Sequence, residues 1–67
     1  RHALETAFAN GDIEGYDNVR QALQAGYAEV GYKLSYNKSV AVLKFLTNKR
    51  MVVKAKKGYH FMPDYHY

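Results

Sequence analysis

The spacing of apolar residues changes once along this chain, near residue 51, and that change narrows the folds open to it. Up to Asn48 the apolar positions recur at three- and four-residue intervals. From Met51 they run as Met51-Val52-Val53-Lys54-Ala55, then Lys56-Lys57-Gly58, then Tyr59-His60-Phe61-Met62, with Pro63 closing the run. The first pattern buries one face of a helix. The second suits two β-rich segments joined by a tight turn, with Gly where a positive φ is wanted. A chain of 67 residues lies near the lower limit for folding alone. All its elements must therefore share one small core, and the expected class is a single α+β domain over 1–67.

The helical part divides into three. Ala3, Leu4, Ala7 and Phe8 predict a short first helix over about 2–10, stopped by Asn10-Gly11, both of which accept a left-handed backbone. Asp12 to Tyr16 is a loop in which Ile13 is expected to pair briefly as an edge strand. Asp17 is the expected N-cap of a second helix over about 17–31, with Val19, Ala22, Leu23, Gly26, Tyr27 and Val30 as its apolar stripe. Gly26 falls on that stripe, where it costs about 1 kcal/mol relative to Ala unless it admits a neighbouring helix. Gly31 sits where this helix should stop. Ser35 or Asn37 caps a third helix, whose inward residues are Ser39 or Val40, Leu43 and Leu46, flanked by Val42 and Phe45. Tyr36, Asn37, Lys38, Ala41, Lys44 and Asn48 fall on its outward arc. On the second strand Tyr59 and His60 point to opposite faces, so one is core and the other exposed.

Charge follows the same division. From Lys33 onward there are eight cations, Lys33, Lys38, Lys44, Lys49, Arg50, Lys54, Lys56 and Lys57, against the single acid Asp64. Residues 1–32 carry Arg1 and Arg20 against Glu5, Asp12, Glu14, Asp17 and Glu29. A basic half built on one helix and one hairpin suits a polyanionic partner; a solvated face that keeps a small domain dispersed is the plainer alternative. Seven Tyr and three Phe exceed what so small a core can hide. Some rings should lie at the surface, available to bases or to a protein.

The run from Leu34-Ser35-Tyr36-Asn37-Lys38 through Leu43 and Leu46 to Met51-Val52 resembles the recognition helix of the winged helix-turn-helix family and its exit. It has a small polar cap, a polar outward triplet, two Leu three apart and an apolar pair entering the hairpin. Ala28-Glu29-Val30-Gly31 is similar to the end of that family's preceding helix, and Val52 to Met62 to its wing. The chain departs from the pattern at Arg50, where the family favours Gly, at the bulky Tyr32 and Lys33, and in the irregular segment 10–17. The resemblance implies a small three-helix winged helix-turn-helix with a C-terminal β-hairpin wing, binding double-stranded DNA. A helix over about 36–48 would enter the major groove, which is wide enough to admit one. Tyr36, Asn37, Lys38, Ala41 and Lys44 would face the bases. Asn37 would pair with adenine, Lys38 or Lys44 with guanine, and Ala41 would meet a thymine methyl. Asn37 as a cap or turn residue, and Lys44 as a solvated charge, are the competing readings. Lys54, Lys56 and Lys57 would lie along phosphates, or would guard an exposed strand edge. Lys33, Lys49 and Arg50 would anchor phosphates without reading sequence.

Such a domain would belong to a transcriptional regulator or to a replication or recombination accessory protein. The alternative is a protein-interaction winged helix in a larger assembly, with the surplus Tyr and the acidic half as the interface. The chain begins at Arg1 rather than Met, which suggests a fragment of a longer protein whose other domains are further candidate partners. An enzyme is not expected: there is no Gly-rich phosphate loop, nucleophile elbow or paired-carboxylate arrangement. No cofactor is expected either. His60, Asp64 and His66 are spaced as metal ligands but straddle Pro63, which argues against the rigid support that ligating imidazoles need. No apolar run approaches the ~18 residues of a membrane span, and no signal-peptide core is visible. A cytoplasmic or nuclear protein, not a secreted one, is the expectation.

Overall fold

The computed structural model describes residues 2–62. It contains three helices, α1 (His2–Ala7), α2 (Tyr16–Glu29) and α3 (Tyr36–Asn48), followed by an antiparallel hairpin of β1 (Val52–Ala55) and β2 (Gly58–Phe61). This is the α+β order expected from the change of period. The core unites all five elements through Leu4, Val19, Leu23, Leu43, Leu46, Val52 and Tyr59, with Phe8 just beyond α1.

The regular part of α1 is shorter than expected. The chain leaves the helix at Ala7 and continues as turns, with Phe8 N–H donating to Leu4 O (3.0 Å) and Gly11 N–H to Phe8 O (3.0 Å). α1 crosses α2 at Gly26. A Cβ added there would lie 2.4 Å from Ala3 O, so the glycine on the apolar stripe is what lets the two backbones meet.

Asp17 is not the cap of α2. The helix begins one residue earlier, at Tyr16, behind Gly15 at φ 94°, and no side chain accepts from its first turn. Val19 N–H donates to Gly15 O (3.1 Å), so a backbone conformation suited to Gly starts the helix. Asp17 instead lies inside the first turn, where a carboxylate still favours the positive end of the helix dipole. Along the expected stripe Val19, Leu23 and Gly26 are buried, whereas Val30 is 42% exposed because the helix has ended. The ending is a Schellman motif: Gly31 at φ 87°, with Gly31 N–H donating to Ala28 O (3.0 Å) and Tyr32 N–H to Tyr27 O (2.8 Å). The Tyr27 and Tyr32 rings meet edge-on, 6.4 Å apart, as the hydrophobic contact of that motif.

α3 is capped by Ser35, whose side chain accepts from Lys38 N–H (3.2 Å), and not by Asn37. It ends in a second Schellman motif, with Arg50 N–H donating to Thr47 O (3.2 Å) and Met51 N–H to Leu46 O (3.0 Å). Here the left-handed residue is Arg50, at φ 60°, the one non-glycine with positive φ among the described residues.

The hairpin pairs Val52 with Phe61, Val53 with His60, Lys54 with Tyr59 and Ala55 with Gly58, leaving Lys56 and Lys57 as its two-residue turn. β1 starts one residue later than the expected run and ends with it, and β2 is shifted one residue earlier. Met51 belongs to the exit from α3, and Gly58 opens β2. Ile13 pairs with Tyr59 across the other edge of β2, by Ile13 N–H to Tyr59 O (3.0 Å) and Tyr59 N–H to Ile13 O (2.7 Å). Gly58 allows this approach, since a Cβ there would sit 2.4 Å from Ile13 O. Tyr59 is the core member of the Tyr59–His60 pair and His60 the exposed one.

Candidate nucleic-acid interface

Ser39, Leu43 and Leu46 seat α3 on the core and are buried. Side chains follow one another at about 100° round a helix, so the opposite arc holds Asn37, Lys38, Ala41, Lys44, Phe45 and Asn48, and all six are exposed. Phe45 overturns the expectation that it flanks the core. It is 52% exposed, on the outward arc, and Lys49 Nζ lies 5.9 Å from its ring centroid. The position of Phe45 two residues beyond Leu43 already put it on the wrong side of the helix for burial.

Tyr36 is also exposed, but on the flank of α3 that faces α2. Its ring covers the Arg20 guanidinium, whose Cζ is 4.4 Å from the ring centroid. Arg20 is the residue the sequence hid. Its side chain is only 9% exposed, and its Nη1 donates to Gln24 Oε1 (2.9 Å) and Ser39 Oγ (3.3 Å). Ser39 Oγ in turn donates to Tyr36 O (2.6 Å), and Gln24 Nε2 to Leu34 O (3.0 Å). A polar network thus ties α2 to the first turn of α3 and to the chain entering it. Arg20 Nε is buried without a hydrogen-bond partner; the Asp17 carboxylate is 3.8 Å away on the solvent side. The one sequence signal for Arg20 was its place one turn before Leu23, beside the buried stripe.

The hairpin meets the end of α3 at an open groove of about 600 Å³ lined by residues that include Thr47, Asn48, Arg50, Lys54 and Tyr59. Lys54 reaches it because residues two apart on a strand share a face, and Val52, on that face, is buried. Arg50 and Lys54 thus line one groove, with Asn48 from the outward arc. Lys33, Lys56 and Lys57 are exposed at the α2–α3 connection and at the hairpin turn and do not line this groove.

A second hollow, about 340 Å³, lies between Phe8, Gly11, Asp12, His60 and Phe61. His60 Nδ1 is 2.6 Å from Asp12 Oδ1, and the Phe8 and Phe61 rings stack with centroids 5.7 Å apart. The His60 ring is therefore engaged with the loop before α2. Asp64 and His66 lie outside the described residues, and no group of three or more metal-ligating side chains occurs among those described.

No protein-family model, curated protein or solved structure matches this chain.

Proposed function

We propose that this chain is a double-stranded DNA-binding domain of the winged helix-turn-helix kind, without catalytic activity. It would serve a transcriptional regulator or a replication or recombination accessory protein, in the cytoplasm or the nucleus. The observation that carries the reading is the outward arc of α3: Asn37, Lys38, Ala41 and Lys44 are exposed together on a helix seated by Ser39, Leu43 and Leu46. In the major groove Asn37 would pair with adenine, Lys38 or Lys44 with guanine, and Ala41 with a thymine methyl, each good bidentate pair giving about 1–3 kcal/mol of discrimination. Phe45 adds a second apolar contact for thymine methyls. Lys33, Lys49, Arg50, Lys54, Lys56 and Lys57 supply phosphate contacts, and Tyr36 stands at the edge of the interface over Arg20. The longest dimension of the molecule is 27 Å, less than one turn of B-DNA, about 34 Å. One copy would cover less than a turn.

The test is a fluorescence-anisotropy titration of a random-sequence duplex at several salt concentrations. With ~4–6 phosphates neutralised, log K should fall against log salt with a slope of about −4 to −5, and Lys38→Ala and Lys44→Ala should each weaken binding. A variant with the α3 and wing lysines neutralised that binds as tightly as the parent refutes the proposal. A protein-interaction module is the second reading, favoured by Phe45 and Tyr32, which are 52% and 67% exposed. An aromatic interface with a protein would be much less sensitive to salt. No helix among the described residues is long and apolar enough to cross a membrane.

A further inference from the structure

The two Schellman motifs pose a question of chemistry. α2 and α3 end with the same pair of backbone bonds, yet the left-handed position is Gly31 in one and Arg50 in the other. Glycine adopts that conformation freely and arginine does not. Backbone strain of this sort points to a use for the residue, and Arg50 is among the residues that line the groove between α3 and β1. Lys54 lines it from the strand, and Asn48 offers an amide. Among the described residues no carboxylate lines the groove, and neither Arg50 nor Lys54 takes part in an ion pair. The C-terminal end of α3 is itself unfavourable for an anion, an effect softened because Phe45 O, Leu46 O and Thr47 O accept from Lys49, Met51 and Arg50 N–H, so it is the two cations that must hold the ligand.

We propose that this groove is a phosphate-binding site in which the Arg50 guanidinium and the Lys54 ammonium hold one phosphate group between the end of α3 and the wing. It rests on the DNA-binding reading only for the source of that phosphate. A backbone phosphodiester of the duplex and a free phosphate ion or monoester present the same oxygens to the two cations.

The experiment measures duplex affinity and its salt dependence for the parent, Arg50→Gly, Lys54→Ala and the double variant, each first shown to be folded by circular dichroism. Each single change should weaken binding roughly fivefold at low salt, and the salt slope should become shallower by no more than about 1 even in the double variant, because only one phosphate is shared. The double variant should lose less than the product of the singles, because two cations on one phosphate do not act independently. Unchanged affinity and slope in the single variants, or losses that multiply, overturn the proposal. If the parent binds no duplex, the DNA reading fails by itself, and inorganic phosphate is titrated with amide shifts of Asn48, Arg50 and Val53 as the readout. Saturable shifts that vanish in Arg50→Gly sustain the site with free phosphate as its ligand. Their absence from the parent refutes it.

Discussion

Replacing Arg50 with Gly should make the fold more stable even though it deletes a side chain. Arg50 sits at φ 60°, and a left-handed backbone costs a residue with a Cβ about 1–2 kcal/mol. Glycine removes that strain but adds freedom to the unfolded chain, an offset of about 0.4–1 kcal/mol. The backbone bonds that close the motif, Arg50 N–H to Thr47 O and Met51 N–H to Leu46 O, are untouched, and the exposed side chain gives up no core packing. One further term opposes the gain: a cation near a helix C-terminus contributes about 0.3–1 kcal/mol at low ionic strength, and salt screens it. Measured in about 0.5 M NaCl, the net should therefore be a gain of about 0.5–1 kcal/mol. Urea unfolding followed by circular dichroism reads this as a midpoint higher by roughly 0.5 M at unchanged slope. Gly31→Ala is the mirror experiment, placing a Cβ at φ 87° and lowering the midpoint. If Arg50→Gly lowers the midpoint in high salt, strain at this helix exit is not what the φ value implies. Arg50 would then not be held in that conformation for a ligand.

Gly26→Ala should destabilise the fold by about 1–3 kcal/mol or more, because its Cβ would meet the Ala3 carbonyl at 2.4 Å; thermal unfolding measures it, and a neutral result would show that α1 can shift freely on α2. Leu43→Ala, at a position 1% exposed, should cost about 2–5 kcal/mol by the same measurement. Ser39→Ala leaves one Arg20 donor without its acceptor and should cost about 1–3 kcal/mol in a urea titration; an unchanged midpoint would mean that water replaces the serine oxygen.

The parts of the fold that were legible in the sequence are those set by neighbours along the chain. A helix is written within three or four residues, so Leu43 and Leu46 predicted the buried face of α3, and the choice between Ser35 and Asn37 bracketed its start. Gly26 was legible for a different reason: a glycine on an apolar stripe is unfavourable unless something must come close. The misplaced details have local physical causes too. Asp17 has the chemistry of a cap, but Gly15 could turn the chain into the helix two residues sooner with backbone bonds alone. Phe45 was assigned near the core on hydrophobicity, although its place on the helix turns it to the outward arc.

Arg20 was not legible, because what it does depends on residues far along the chain. A cation in an acidic, helical stretch reads as a solvated charge. Only when α3 is laid across α2 does it meet Ser39, 19 residues away, and pass beneath the Tyr36 ring. The same holds for Arg50 and Lys54, whose sharing of a groove follows from the direction in which α3 exits into β1. Arg20 and Ser39 are buried and stay off the outward face of α3, yet they fix the start of the helix that carries Asn37 and Lys38. Substituting either would disturb whatever α3 binds by tilting the helix rather than by removing a charge. Binding would weaken while the salt slope stayed near that of the parent, whereas losing Lys38 or Lys44 would change both.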